Sequence, residues 1–576
     1  MKYILILFAS IISINTFAQQ PTLKVVFPEK NGATVSSTKQ FIVGTTCKQC
    51  EVTVNNTPVK VYTTGAFGYE ASLQNGDNNF EVVAKNANGK SVSKTISFIY
   101  KKPAPDSAVS TPTIAWVKTS PEGNLVLRQG DKVQIRVKAQ PGGEVTTFNN
   151  TILYELPVSQ TNGVAGIYQN EYEIKASDNF SAQPFTVQLK AKNGQASTAR
   201  TPGTIAVMSP LASEIGITTG RLAYMEFGLG EDRLGGSKIG YLDEGIPVKI
   251  IGKVKNDYKI QLAKNRIAYI PDDAVSLQPK GTLPANVLTG SWRISGDDKY
   301  DYVNISLSSK LPYQSLQQTN PSKLIVDIFG AVNNTNWITF LQSAKEVLSA
   351  DYEQISDDVY RVTINLKHQN FWGHKIYYSG NTLVIRIKQQ PKNLALKNLV
   401  IGVDAGHGGS NTGAYGVTGS SEKMLALAIS QKVKKLLEAE GAKVIMTRNE
   451  ERSFNNSDRI LYFRDNEPDL LISVHLNSAA DPFKAGGTSV MYRHAGFRPF
   501  GQAIYKRMLE LGLKEYGNIG SFNFMLNSPT EYPNALLETL FISNLEEEEK
   551  IVQDSFQQQM AQKIVEGIKD YLEAAK

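Results

Sequence analysis

Residues 398–416 read NLVIGVDAGHGGSNTGAYG, an apolar run ending at Val403 and then a glycine-rich turn with His407 inside it. A strand followed by glycines is the usual start of a phosphate cradle, and spacing tests that reading. The dinucleotide fingerprint G-x-G-x-x-G fits Gly406 and Gly408 but meets Asn411 where its third glycine belongs. A P-loop needs Lys and then Ser or Thr after its last glycine, and Gly413 is followed by Ala414 and Tyr415. Neither nucleotide site is supported. The glycines instead predict a tight turn whose backbone comes close to whatever His407 touches.

From this stretch to the end, strands alternate with helices. In EKMLALAISQKVKKLLEAEG, residues Leu425, Ala428, Ile429, Val433, Leu436 and Leu437 share one helical face, and Gly441 stops the helix. KVIMT, PDLLISVHLNS, GGTSVMY and PNALLETLF read as strands; FGQAIYKRMLELGL and SFQQQMAQKIVEGIKDYLEA read as helices. Residues 396–576 are therefore expected to form an α/β domain on a largely parallel sheet. Ligands in such sheets gather at the carboxyl ends of the strands.

That rule collects four residues: His407, His475 directly after LLISV, Glu538 in ALLETLF, and Glu422 opening the helix after the glycine loop. Two imidazoles and a carboxylate make a three-ligand catalytic zinc set with a fourth position open. Glu538 is then left over, and a carboxylate inside an apolar strand is costly unless it has a use. Asn477, two residues past His475, is a weaker candidate for orienting substrate or a ligand, and His494 is expected on the surface. The domain contains no G-x-S-x-G elbow, which argues against a serine hydrolase.

The 576 residues exceed what one core can serve, so several domains are expected. The first 18 read as a secretory signal peptide: Lys2, an apolar stretch from Tyr3 to Ile14, then Thr16-Phe17-Ala18. The stretch is shorter than a membrane span, and no other long apolar run follows. The mature chain is expected to be exported to the periplasm or cell envelope, without a transmembrane segment. Cys47 and Cys50, the only cysteines, read as a local disulfide of an oxidising compartment. Residues 397–576 hold 20 basic and 23 acidic side chains, leaving 41 and 31 upstream, a net +10. Dispersed charge of this kind suits an anionic envelope surface and gives no nucleic-acid footprint.

Upstream the pattern is all-β. FEVVAKNANG at 80–89 and FTVQLKAKNG at 185–194 repeat one another, each preceded by an Asn-Asn-Thr turn, at 55–57 and 149–151. Two β-sandwiches are expected, over 19–102 and 112–208, with a Pro-, Ser- and Thr-rich linker between them. They resemble bacterial immunoglobulin-like modules. Residues 212–280 shorten to a small-barrel rhythm similar to bacterial SH3-like domains, and NPSKLIVDIFGA at 320–331 resembles the AMIN module, here placed at 283–390. Trp292 and Trp372 are expected in cores rather than on a sugar platform.

VDAGHGG, SSEKMLALAI, LLISVHLNS and ALLETLFISN, in this order, resemble the zinc-dependent N-acetylmuramoyl-L-alanine amidases of the Amidase_3 type. The resemblance implies Zn2+ held by His407, Glu422 and His475, with Glu538 as catalytic acid/base. It implies hydrolysis of the peptidoglycan amide between N-acetylmuramic acid and L-alanine. Two positions depart from the family: Ala405 stands for a proline, and Thr539-Leu540 for Val-Gly. The alternatives are a non-catalytic wall-binding scaffold and a zinc amidohydrolase of another substrate. Only 62 residues separate His475 from Glu538, which leaves little room for an occluding helix and predicts an open site. The upstream modules are expected to locate the zinc domain at the wall, with an envelope protein as a further candidate partner.

Overall fold

A computed structural model of the chain describes residues 20–102, 107–209, 214–230 and 234–576. The signal-peptide reading of 1–18 and part of the linker lie outside them. The carboxyl-terminal domain is a six-stranded sheet ordered β2-β1-β3-β6-β4-β5, with β1 Val400–Ala405, β2 Lys443–Met446, β3 Leu470–Asn477, β4 Thr488–Met491, β5 Glu515–Ile519 and β6 Asn534–Phe541. Every pairing is parallel except β4 against β6. The sheet is apolar on both faces because helices cover both. Helices α1 (Glu422–Ala439), α3 (Arg498–Leu509) and α5 (Asp554–Ala574) share one core with the sheet, whereas Phe463 of α2 (Asn456–Asn466) meets Leu471 and Tyr532 in a separate cluster. The buried stripe of α1 runs through Leu425, Ile429, Val433 and Leu437 and extends to Ala426 and Ser430.

Upstream the chain is mostly β. In the first unit a three-stranded and a five-stranded sheet enclose Ile42, Val54, Phe67, Val82 and Phe98. Cys47 and Cys50 are disulfide-bonded. The two Asn-Asn turns repeat in conformation as in sequence: Asn55, Asn56, Asn149 and Asn150 all have φ between 46° and 65°. This left-handed region suits Asn, and it matches the twist of tight hairpins. The second unit joins the third through its strand Leu125–Leu127, which pairs antiparallel with Pro247–Val254. Among the described residues no helix is long and apolar enough to cross a membrane.

The upstream units are more than a tether. Trp372, 2 % exposed, belongs to the core of the carboxyl-terminal domain and meets Tyr571 at 5.9 Å between ring centroids. In return Phe497, 0 % exposed, enters the β core formed by residues 223–387. His374 donates its backbone N–H to the Thr530 carbonyl at 2.8 Å, and the Thr530 hydroxyl donates back to the His374 carbonyl at 2.9 Å. Lys388 pairs with Asp469 at 2.6 Å, and Arg386 with Glu467 at 2.6 Å. Trp292 is also core.

His494 corrects an expectation: it is half-buried at this seam, with Nε2 2.9 Å from the Ser528 carbonyl and its ring 5.5 Å from that of Phe497. It came out as surface because nothing in the flanking MYRHAG announces the β unit that covers it. Burial lowers His494 to about 4, and burial with the neighbouring His494 lowers His374 to about 3.

Two outcomes follow from the seam. Trp372→Ala and Phe497→Ala should each lower unfolding stability by about 3–5 kcal/mol, the usual effect of truncating a buried aromatic, in urea titrations of the mature chain. A fragment beginning at 391 loses Trp372 and should melt below the whole chain. As pH falls from about 6.5 towards 5, an unfolded His374 takes up a proton that the folded one refuses. Stability should therefore fall with pH in that window, by up to about 1.4 kcal/mol per pH unit for this histidine. His374→Asn should flatten the slope of urea midpoint against pH; an unchanged slope would assign the loss to other groups.

Candidate metal centre

Strand β1 ends at Ala405, and the chain turns sharply. Gly406 is glycine because the His475 ring lies against it: a Cβ there would sit 2.5 Å from that ring. Gly413, at φ +65°, lies under the Glu422 side chain, where a Cβ would meet Oε2 at 2.4 Å. The glycine loop comes close to two other side chains of the predicted set, which answers the question its sequence raises.

His407 adopts φ 58°, a conformation that a non-glycine residue holds only when its surroundings impose it. Two buried guanidinium groups impose it. Arg448 donates from Nε to the Ala405 carbonyl at 3.1 Å and from Nη2 to the Gly406 carbonyl at 2.8 Å. Arg459 donates from Nη1 to the Ala405 carbonyl at 2.8 Å and from Nη2 to the His407 carbonyl. Arg459 also pairs with Asp404, which is 0 % exposed and accepts from the Thr447 and Ser473 hydroxyls at 2.8 and 2.5 Å. Burial alone would raise the Asp404 pKa; the Arg459 charge, together with His475 and the Ser473 and Thr447 hydroxyls, outweighs it and holds the carboxylate ionised.

The loop brings the donors together. His407 Nε2 lies 2.9 Å from Glu422 Oε1, and His475 Nδ1 lies 3.1 Å from the same oxygen. Tetrahedral ligands at about 2.0–2.1 Å from one ion lie about 3.3 Å apart, so these spacings fit a shared divalent cation. Among the described residues no fourth His, Cys, Asp or Glu joins the group. His407 Nδ1 is 2.9 Å from Asn411 Oδ1, an acceptor, which puts the proton on Nδ1 and leaves the Nε2 lone pair towards the centre. Burial works to raise the Glu422 pKa, and the two imidazoles of His407 and His475 beside it override that, holding the carboxylate far below its ordinary range. Its Oε2 accepts from the Ala414 N–H at 2.8 Å and Oε1 from the Leu476 N–H at 3.0 Å.

Glu422 has a remote anchor that the sequence did not suggest. Glu548, 0 % exposed on α4 (Leu545–Ile551), accepts from the Val417 and Thr418 N–H groups, each at 3.0 Å, and from the Thr418 and Ser420 hydroxyls at 2.6 and 2.7 Å. The loop leading into Glu422 is thereby fixed from behind. Val417 also packs with Leu545 against Val43, Tyr62 and Ala66 of the first β unit.

Glu538 stands beside His475 in the β3–β6 register and is half-buried. It lines the same cleft as His407, Glu422 and His475, a space of about 770 Å³ that Asn477 also borders. The Asn477 side chain accepts from the Ser478 N–H at 2.8 Å. At the departure beside Glu538, Thr539 donates its hydroxyl to the His475 carbonyl at 3.1 Å, and Leu540 fills the core. Sequence reasoning missed Asp404, Arg448, Arg459 and Glu548. The readable hint was Asn455, which caps α2 by accepting from the Asp458 N–H.

Residues 401–570 match the N-acetylmuramoyl-L-alanine amidase family, and residues 292–396 match the AMIN domain. The uncharacterized protein YqiI of Bacillus subtilis is 30% identical over 173 residues, covering 29% of this chain and 82% of that protein. The chain belongs to the N-acetylmuramoyl-L-alanine amidase family. N-acetylmuramoyl-L-alanine amidase AmiC of Escherichia coli is 28% identical over 219 residues, 30% of this chain and 52% of AmiC. The catalytic domain of CwlV, an amidase from Bacillus (Paenibacillus) polymyxa var. colistinus, is 29% identical, covering 31% of this chain and 99% of that one, with a TM-score of 0.30. The chain spans about half the length of AmiC. The amidase domain thus accounts for the last third of the chain, and the AMIN domain immediately precedes it.

Gly406→Ala in this amidase domain should leave the fold intact, because the nearest atoms that the added methyl meets all belong to the His475 ring. Displacing that ring should weaken binding of a divalent cation at this candidate site about 10- to 100-fold, the range for changes that reorient a ligand. Competition with a chelator, alongside far-UV circular dichroism, measures both.

Proposed function

We propose that the protein is an exported, zinc-dependent hydrolase of the peptidoglycan amide that joins N-acetylmuramic acid to L-alanine of the stem peptide. The observation that carries this reading is the clustering of two imidazoles on one Glu422 oxygen, at 2.9 and 3.1 Å, with Glu538 on the neighbouring strand of the same cleft. His407, Glu422 and His475 hold the metal. Bound by these three side chains, zinc would supply Lewis acidity for polarising the scissile carbonyl and acidifying a water.

Glu538 takes the proton from the attacking water and returns it to the leaving amine nitrogen, a role typically worth about 10²- to 10⁴-fold. Asn411 fixes the His407 tautomer, and the Ala414 and Leu476 N–H groups fix Glu422. Asn477 is a secondary candidate for orienting substrate, its position at the cleft supporting that reading while its bond to Ser478 gives it a turn role as well. The first two β units fit immunoglobulin-like sandwiches over 19–102 and 112–208, and the third an SH3-like barrel over 212–280. The AMIN-like module is placed at 283–390, and the catalytic domain at 396–576. The AMIN domain and the likeness to AmiC support a place in the periplasm or envelope, with peptidoglycan as the partner.

Glu538→Gln should retain near-stoichiometric zinc and lose at least about a hundredfold in turnover, whereas His407→Ala or His475→Ala should lose both. Mass spectrometry of digested sacculi, looking for free stem peptides beside intact glycan, reads the reaction. Release of stem peptides by the Glu538 variant at the parental rate would remove its assigned role.

A further inference from the structure

The cleft has a wall that the amidase domain does not supply. Leu234 and Lys238, at the turn into the third unit's strand Lys238–Leu242, border the same space as the metal donors. Their place is fixed by Asn523, which lies between Phe522 and Phe524 in sequence. Its Nδ2 donates to the Leu234 carbonyl at 3.1 Å and to the Gly236 carbonyl at 2.7 Å, while its Oδ1 accepts from the Lys238 N–H at 3.0 Å. Arg493 closes the clamp, donating from Nη1 to Asn523 Oδ1 at 2.7 Å and from Nη2 to the Lys238 carbonyl. The next residue, Phe524, places its ring 6.2 Å from that of His475. The wall is therefore one residue removed from a side chain that touches the metal set.

We propose that the third β unit forms a substrate-binding wall of the catalytic cleft, and that Leu234 on it receives the saccharide side of the substrate. The inference rests on the amidase reading of the site. Chemistry selects the saccharide. A stem peptide carries carboxylates, which call for a cation, and Lys238 is the only Lys or Arg among the described residues lining the cleft. Its ammonium is engaged elsewhere: it lies 3.6 Å from Glu226 and 4.9 Å from the centre of the Tyr224 ring, with 7 % of the side chain exposed. What the wall offers is the alkyl side chain of Leu234. The cleft is also lined by the rings of Phe522 and Phe524, 6.3 Å apart, and by the uncharged polar side chains of Asn477 and Ser478. Apolar faces with a few amide and hydroxyl groups match a neutral N-acetylated sugar. Asn523 acts as a positioning residue for this wall.

The test uses the mature chain with zinc and two soluble substrates: a disaccharide-pentapeptide, and the same peptide carrying only the lactyl group on its amino terminus. Leu234→Asp should raise KM for the disaccharide substrate about tenfold, the scale of one misplaced group in an apolar pocket. Turnover and zinc content should stay within about twofold of the parent, and KM for the sugar-free substrate should not move. Asn523→Ala should show the same pattern more weakly. Equal KM values for parent and Leu234→Asp on the disaccharide substrate, or an equal rise on both substrates, would overturn the proposal. Binding of the intact disaccharide-pentapeptide to Glu538→Gln protein, with and without Leu234→Asp, is measured separately by calorimetry. About a tenfold weaker binding supports the wall even if the parent cleaves neither substrate, an outcome that would sink the amidase reading alone. Unchanged binding would sink the wall.

Discussion

Two buried guanidinium groups hold the backbone of residues 405–407, and the metal centre depends on that grip. A turn that leaves a strand in the interior exposes carbonyls with no neighbouring strand to satisfy them, and an unpaired buried carbonyl is costly. Arg448 and Arg459 satisfy three of them in succession. A buried arginine is itself affordable only if its charge is matched, and Asp404, the last but one residue of β1, matches Arg459. The ion pair therefore does more than tie α2 to the sheet. It allows His407 to persist in a left-handed conformation that points its imidazole at Glu422.

The three donors are fixed by three different means. His475 belongs to a central strand paired on both sides, so sheet register places it, and the Thr539 hydroxyl adds a side-chain tie to its carbonyl. His407 is placed by the arginine clamp. Glu422 opens a helix, where its backbone is regular, but its carboxylate is aimed by the loop before it. Rigidity from separate sources suits a site that must hold its geometry before a cation arrives, because repulsion among bare donors would otherwise open it.

This division explains what could be read from the sequence. Strand patterning located β1, β3 and β6, and the rule that ligands collect at strand ends then found His407, His475 and Glu538 without knowledge of their distances. Arg459 was hidden because α2, NSDRILYFRDN, is charged along much of its length and shows little apolar period. Arg448 follows the short strand β2 and looks like an ordinary surface base until the loop is folded over it. Trp372, Phe497 and His494 depend on contacts between units more than a hundred residues apart, which neither period nor propensity encodes. That the upstream units also pack on the amidase domain was hidden for the same reason: a linear reading sees boundaries, while aromatic side chains crossing them appear only in three dimensions.

The crossing contacts also set how far the chain can flex. Ordinary tethering raises local concentration while leaving each module free to turn. Here the AMIN domain and the amidase domain exchange aromatic side chains, the third unit is clamped to the cleft rim by Asn523, and the first unit packs on Val417 and Leu545. The last contact bears on the metal set most directly. Glu548 gathers the N–H and hydroxyl groups of residues 417–420, and Val417 is shared between that loop and the apolar cluster of the first unit. Of the three donors, Glu422 is thus the one whose support runs outward, through a loop and a short helix, to the amino-terminal β unit. A catalytic fragment cut at the domain boundary would keep the residues of the metal centre but lose part of what holds Glu422 in place.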